Sequence, residues 1–276
     1  MRITSWNLLH GMAIPPVGEG ATDGAALTVA VQEIGSDVYG FQELDHFLPR
    51  SRARAQARDI AEGIGARYWA MGPSVIGTPG ESWRKRNSDE PEIITNTSTH
   101  QELTHECYGI GIVSKIPVIS WLRLDLGNSP FGLPLIVPGD ETGKGRPRFI
   151  YVKDEPRLAL AAVLENGWTV VNTHLSFVPI LNLAQLTRLK RWALSIAQQT
   201  DTKPLIIGDL NLPKNLPVAF SSWQSLVQQN TYPSWGAKIQ FDYLLGHTPS
   251  RSEFVVLPPS QTGISDHLPI SAELPN

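Results

Sequence analysis

The chain has 276 residues, enough for one unit to bury a large core, and its 41% hydrophobic and 18% charged content is ordinary for a globular protein. A net charge of −3 disfavours a dedicated duplex-binding protein, because such proteins draw non-specific affinity from an excess of Lys and Arg, although a local basic cleft stays compatible with a nuclease. No apolar run approaches the ~20 residues of a membrane-spanning helix, and the single cysteine, Cys107, excludes an internal disulfide and a multi-cysteine zinc site.

The opening Met1-Arg2-Ile3-Thr4-Ser5-Trp6-Asn7 lacks the basic segment and long apolar stretch of a cleavable leader, so the cytoplasm is the expected location. In chain order, residues 2–8 predict a strand, 25–34 a helix, 36–41 a strand and 53–64 a helix. Residues 109–114, 157–164, 169–172, 204–208, 241–245 and 268–274 read as further strands, rich in Val, Ile, Leu and aromatics. Residues 182–199 read as a helix whose Leu183, Leu186, Leu189, Trp192 and Ile196 recur at helical spacing, with Asn182 as N-cap and Gln185 in the reciprocal position. Two stretches, 71–107 and 127–156, are rich in Gly, Pro, Ser, Asn and charge and too long for simple connections, so they are expected to be irregular and to shape a pocket. No internal repeat or linker divides the chain, which predicts a single domain over residues 1–276.

Chemistry-bearing residues cluster at strand ends: Ser5-Trp6-Asn7, Gln42-Glu43, Asn172-Thr173-His174, Gly208-Asp209-Leu210-Asn211, Phe241-Asp242-Tyr243 and Ser265-Asp266-His267. Asp209 and Asn211 lie two apart, so in an extended segment both side chains face one way. A Gly-Asp turn closed by an Asx hydrogen bond is the alternative there. A carboxylate on one nitrogen of His267 would fix its tautomer and free the other nitrogen as base or phosphate ligand. Taken singly, Glu43 also reads as a solvated strand-end carboxylate and each histidine as a hydrogen-bonded structural residue.

The ordered set resembles the endonuclease/exonuclease/phosphatase superfamily over residues 2–274, nearly the whole chain. The resemblance implies a four-layer α/β sandwich, two mixed β-sheets face to face with helices outside. It implies a metal-dependent phosphoester hydrolase, with phosphodiesterase as the leading reading and an inositol-phosphate type of phosphomonoesterase or a non-catalytic phosphate-binding protein as alternatives. It further implies Mg²⁺ as cofactor, with Mn²⁺ as substitute, held by Glu43 and Asp266 with Asn7 in support. By resemblance Asp209 orients or activates water, Asn211 helps stabilise the transition state, Asp242 pairs with His267, and His174 donates to a non-bridging oxygen or the leaving group. Arg157, which opens a strand directly before the His174 strand, is the candidate phosphate-binding residue, with an ion pair to Asp154 or Glu155 as the alternative.

The implied substrate is a phosphoester, whether a small molecule, a lipid head group or nucleic acid; no integral membrane association or protein partner is implied. Repair endonucleases of the superfamily read Gln-Glu-Thr-Lys where this chain has Gln42-Glu43-Leu44-Asp45, and carry Trp-Arg where it has Ile239-Gln240, which argues against abasic-site repair. The stretch Gly109-Ile110-Gly111-Ile112-Val113-Ser114-Lys115-Ile116-Pro117 fits a strand common to many branches and names no substrate. Arg50, Arg52, Arg54 and Arg58, diluted by Asp59 and Glu62, read as a solvated surface, and Trp83-Arg84-Lys85-Arg86 as a loop balanced by Asp89, Glu90 and Glu92.

Overall fold

The computed structural model describes residues 1–14, 24–137, 148–247 and 254–275. In chain order the elements are β1 (Arg2–Asn7), α1 (Gly24–Ile34), β2 (Val38–His46), α2 (Gln56–Gly63), β3 (Tyr68–Gly77), β4 (Trp83–Lys85), β5 (Ile94–Thr95), α3 (His100–Leu103), β6 (Cys107–Ser114) and β7 (Val118–Gly127). They continue with β8 (Leu133–Val137), β9 (Arg148–Val152), β10 (Arg157–Leu164), β11 (Trp168–His174), α4 (Leu181–Thr200), β12 (Lys203–Asp209), β13 (Trp223–Ser225), β14 (Asp242–His247), β15 (Val255–Val256) and β16 (Ile270–Glu273). One open sheet runs β15-β16-β1-β2-β6-β3-β4 with β5 also on β3, and a second runs β13-β14-β12-β11-β10-β7. Both are mixed, because β1 with β2 and β11 with β12 are parallel while the other pairs are antiparallel.

The residue pattern explains why the sheets stack. Along β10, Leu158, Leu160, Ala162 and Leu164 face an inner core shared with Ile3, Val38 and Ile112 of the first sheet, while Ala159, Ala161 and Val163 lie with Leu186, Leu189 and Ala193 of α4. A strand buried on both faces reads as a continuous apolar run. On the far side of the first sheet, Leu27 and Val31 of α1 and Ile60 of α2 pack on Trp6, Tyr39, Phe41 and Val113. The order of layers is therefore helix, sheet, sheet, helix, the expected four-layer sandwich. No helix among the described residues is long and apolar enough to cross a membrane.

A polar tie crosses the inner core. Gln42 Nε2 of β2 donates to Asn172 Oδ1 of β11 at 2.6 Å, and Asn172 Nδ2 donates to the carbonyls of Phe41 (2.9 Å) and Gly111 (2.8 Å). The sheets come close here because Gly40 has no side chain: a Cβ there would lie 2.4 Å from Ile207 Cδ1.

Three readings of the sequence change. The 71–107 stretch is largely regular, forming the β3–β5 edge of the first sheet and the short α3. The 127–156 stretch contains the β8–β9 pair, and its residues 138–147 lie outside the described residues. Helix α4 begins at Leu181 with no side-chain cap, because Gln185 Oε1 accepts from Ser176 N–H at 2.9 Å and Asn182 Nδ2 bonds the carbonyl of Asn211 at 3.2 Å. Tertiary partners have taken up both groups of the expected capping box, and Leu183 is 40% exposed, off the buried stripe.

Candidate active site

Strand order arranges the site. At one end of the first sheet, the approach to β16 brings Asp266 and His267, the end of β1 brings Asn7, β2 brings Glu43 and the start of β6 brings Tyr108, in the spatial order of those strands. At the facing end of the second sheet, β14 brings Asp242, β12 Asp209, β11 His174 and β10 Arg157, with Asp209 opposite both Asp242 and His174 in the strand register. The two rows border one cleft of about 580 Å³, which Asn7, Glu43, Arg157, His174, Asp209, Asn211, Asp266 and His267 all line. Asp242 is fully buried behind His267.

Local backbone devices aim these side chains. Glu43 sits at a break in the β2–β6 register with φ of 58°, a conformation unusual for a residue with a Cβ, and the break turns its carboxylate into the cleft. Gly208 has φ of 143°, and a Cβ there would lie 1.9 Å from the Thr173 carbonyl, so the residue before Asp209 must be glycine. Asn211 has φ of 50° and its N–H donates to Asp209 Oδ1 at 2.9 Å. The two side chains thus converge through an Asx turn beyond the end of β12, not through extended alternation. Ser265, at φ of 65°, donates from Oγ to the Asn7 carbonyl (2.6 Å) and accepts from His267 N–H (3.1 Å), and Trp6 Nε1 holds the His267 carbonyl at 3.0 Å.

His267 Nδ1 is 2.8 Å from Asp242 Oδ2, while its Nε2 faces Asp209 Oδ2 at 3.8 Å. Burial favours the neutral ring, but the charges of Asp242 and Asp209 and the Asp242 hydrogen bond outweigh it and raise the His267 pKa well above the usual range. His174 goes the other way: burial, with Arg157 and His267 adding to it, keeps its imidazole neutral. Asn211 Nδ2 lies 3.2 Å from His174 Nε2 and donates to the Leu175 carbonyl at 2.9 Å, an arrangement that leaves the His174 proton on Nδ1. Asn7 Nδ2 bridges two acids, Glu43 Oε1 at 3.0 Å and Asp209 Oδ2 at 3.1 Å, while its Oδ1 accepts from Leu9 N–H.

The acids carry uncompensated charge. Burial, and then the charge of Asp266, raise Glu43 to about 7. Burial raises Asp209 to about 6, and Asp266 also lies above its usual value, again through burial. A divalent cation would offset this charge, and all three offer hard carboxylate oxygens. Asp209, Asp242 and His267 also form a buried group, with ligand atoms within 4.8 Å of one another, that could hold a metal.

Arg157 is 6% exposed, 3.6 Å from Asp154 Oδ1, and its Nε has no hydrogen-bond partner among the described residues. Asp154 accepts from Ser129 N–H and Ser176 Oγ–H through Oδ2, while Oδ1, 3.6 Å from Arg157 Nη2, has no hydrogen-bond partner among the described residues, so the ion pair is loose and the guanidinium also lines the cleft.

Arg50 departs from the solvated surface expected of its charge run. It lines the cleft, binds the fully buried Asp45 through Nε (2.9 Å) and Nη2 (2.8 Å), and lies over the Tyr108 ring. Arg54 and Arg58 do pair with Asp59 at the surface, and Arg84 and Arg86 pair with Glu90 and Glu92. Tyr108, Glu155, Tyr232 and Phe241 also line the cleft. Tyr108 and Glu155 stand at the mouths of strands quoted for other reasons, and Phe241 opens the quoted Phe241-Asp242-Tyr243 motif, so that position was the available signal; Tyr232 carried none.

Known proteins bear on this arrangement. No curated protein matches the chain. Its fold is similar to an endonuclease/exonuclease/phosphatase from Beutenbergia cavernae (16% identity, TM-score 0.60, covering 100% of this chain and 72% of that one). It is also similar to a mannosyl-6-phosphatase from Bacteroides thetaiotaomicron (13%, TM-score 0.59, 99% of each chain). The human Nocturnin catalytic domain with bound sulfate is a third likeness (15%, TM-score 0.56, 99% of this chain and 94% of that one). The model of the endonuclease/exonuclease/phosphatase family matches residues 4–267, spanning both rows of the cleft, and the chain belongs to that family of phosphoester hydrolases.

Proposed function

We infer that the protein is a Mg²⁺-dependent phosphodiesterase. The observation that carries the reading is the His267–Asp242 pair at 2.8 Å, facing Asp209 in a cleft that Glu43 and Asp266 also line. Glu43 and Asp266 would hold the cation, with Asn7 fixing the Glu43 carboxylate from behind. When bound, Mg²⁺ supplies positive charge to the phosphate oxygens and lowers the barrier to attack on phosphorus.

The chain's own residues supply the rest. Asp209, raised to about 6, is an acceptor tuned for a proton from the attacking water. The protonated His267 donates from Nε2 to a phosphate oxygen as charge builds there, and Asp242 holds the ring in place. His174, its tautomer set by Asn211, offers Nδ1–H to the phosphate or to the departing oxygen. The Arg157 guanidinium, which lines the cleft, binds a non-bridging oxygen.

A diester is favoured over a monoester for two reasons. The cleft extends past the His174 position toward Tyr108 on one flank and toward Tyr232 and Phe241 on the other, which suits a phosphate with two arms. Before the ion binds, the lining carboxylates Glu43, Glu155, Asp209 and Asp266 outnumber the cations Arg50, Arg157 and protonated His267, so the cleft draws less anionic charge than a monoester's double charge would call for. A pure phosphate-binding module has no need of a carboxylate-held histidine opposite a proton acceptor. The test is hydrolysis of bis(p-nitrophenyl) phosphate and p-nitrophenyl phosphate: the diester should be preferred, activity should vanish in EDTA and return with Mg²⁺. Undiminished turnover in excess EDTA would refute the metal assignment, and preference for the monoester would refute the diester assignment.

A further inference from the structure

The flank of the cleft nearest β6 and β10 carries polar groups that the hydrolytic steps leave unused. Tyr108, Glu155 and His10 line it beside Arg50. Among the described residues, the Tyr108 hydroxyl, the Glu155 carboxylate and the His10 imidazole have no hydrogen-bond partner. Burial, reinforced by the Arg50 charge, lowers His10 to about 4, so its ring is neutral at pH 7, with one donor and one acceptor. Arg50 itself is largely committed: Asp45 takes Nε and Nη2, the Pro79 carbonyl takes Nη1 at 3.3 Å, and the guanidinium carbon lies 5.5 Å from the Tyr108 ring centroid.

The charge balance then selects among ligands. Glu43, Asp45, Asp154 and Glu155 surround the two cations Arg50 and Arg157, and a second phosphate, which only accepts hydrogen bonds, would face Glu155 with nothing to donate. A nucleobase would seek an aromatic face, but Arg50 already covers one face of Tyr108. A hydroxyl both donates and accepts, so neighbouring hydroxyls on a ring match a carboxylate, a neutral imidazole and a phenol together.

We propose that this flank is a subsite for a neutral polyhydroxylated ring, a sugar or a cyclitol forming one alcohol of the phosphodiester, with Glu155 and Tyr108 as its specificity-determining contacts. The proposal rests on the phosphodiesterase reading and names one arm of its substrate. The ring's hydroxyls donate to Glu155 and His10 and accept from Tyr108 Oη–H. The neighbouring phosphate lies toward Arg157.

The test compares p-nitrophenyl phosphodiesters that differ only in the second alcohol: inositol, glucose, phenol, methanol, and an inositol carrying a further phosphate. With Mg²⁺ present, kcat/KM should be roughly tenfold or more higher for a neutral polyol than for phenol or methanol, since a site built to pair hydroxyls penalises an arm that lacks them. A preference for inositol or for glucose supports the subsite equally and identifies the ring. In Tyr108→Phe and Glu155→Ala the polyol-to-phenol ratio should fall severalfold toward one, whereas a merely structural role would lower both substrates together and leave the ratio unchanged. Preference for phenol or for the phosphorylated inositol, or an unchanged ratio in both variants, would overturn the subsite. Should none of the esters be hydrolysed, the phosphodiesterase reading fails, and calorimetric titration of inositol monophosphate against phenyl phosphate still decides. Tighter binding of the polyol supports the subsite, and equal or weaker binding overturns it.

Discussion

Replacing Asn172 with Ala probes how the two halves of the site are held together. The substitution removes three buried hydrogen bonds, one from Gln42 Nε2 and two to the Phe41 and Gly111 carbonyls, and no solvent reaches the pair because both side chains are fully buried. Each neutral bond contributes about 1 kcal/mol net, and an orphaned buried donor or acceptor costs more, so the expected loss is roughly 3–5 kcal/mol. Against a typical unfolding free energy of ~5–15 kcal/mol this is a large fraction. Equilibrium urea unfolding, followed by the fluorescence of the chain's 8 tryptophans, measures it directly. Because Gln42 directly precedes Glu43, the folded variant should also need more Mg²⁺ for half-maximal activity. A loss under about 1 kcal/mol with an unchanged denaturant slope would mean that the carbonyls and Gln42 find other partners, and that this tie does not join the sheets.

Other perturbations test the remaining parts. In the metal-free protein Glu43 is raised to about 7 and Asp209 to about 6, so each contributes stability below its unfolded-state pKa that is lost as pH rises through those values. Mg²⁺ binding needs the ionised acids, so the rise in Tm on adding Mg²⁺ should be larger at about pH 8 than at about pH 5.5, and an increment that is flat or larger in acid would contradict the assignment. Arg157→Lys keeps the charge but loses the planar fork, and kcat/KM should fall about tenfold to a hundredfold; an unchanged value would return Arg157 to a purely structural ion pair with Asp154. Asp242→Asn should lower turnover less than His267→Ala, and the double variant should lose less than the product of the single losses, whereas fully independent losses would separate the two residues.

The sequence carried most of the fold wherever side chains on both faces were buried. β10 was read at its observed bounds, Arg157–Leu164, because both of its faces meet apolar layers. β7 went unread because Arg123 and Asp125 interrupt its pattern and much of it is half-exposed, and β3 because Gly72, Pro73 and Gly77 mimic loop punctuation. Pro73 is tolerated because it stands at a register shift in the β3–β6 ladder. The candidate site was legible for a related reason: its residues stand at the starts or ends of hydrophobic strands, as Arg157 and Asp242 open β10 and β14 while Asn7, His174 and Asp209 close β1, β11 and β12, and those strand ends meet at one edge of the sheets. Arg50 was not legible, since its pairing with Asp45 depends on a return of the chain across the mouth of β2 that no local pattern encodes. The α4 cap failed because the Gln185 side chain bonds Ser176 and Gly127, partners that only the assembled second sheet supplies.

On the proposed reading, the His267 imidazolium, held by Asp242 and facing Asp209, stabilises charge as a phosphodiester is hydrolysed. Turnover of bis(p-nitrophenyl) phosphate by folded His267→Ala at saturating Mg²⁺ tests it most directly. The expected result is a fall in kcat on the order of a hundredfold or more with KM little changed, because the lost interaction forms only as the transition state is reached. A kcat near that of the unmodified protein would contradict the account and leave His267 a hydrogen-bonded structural residue.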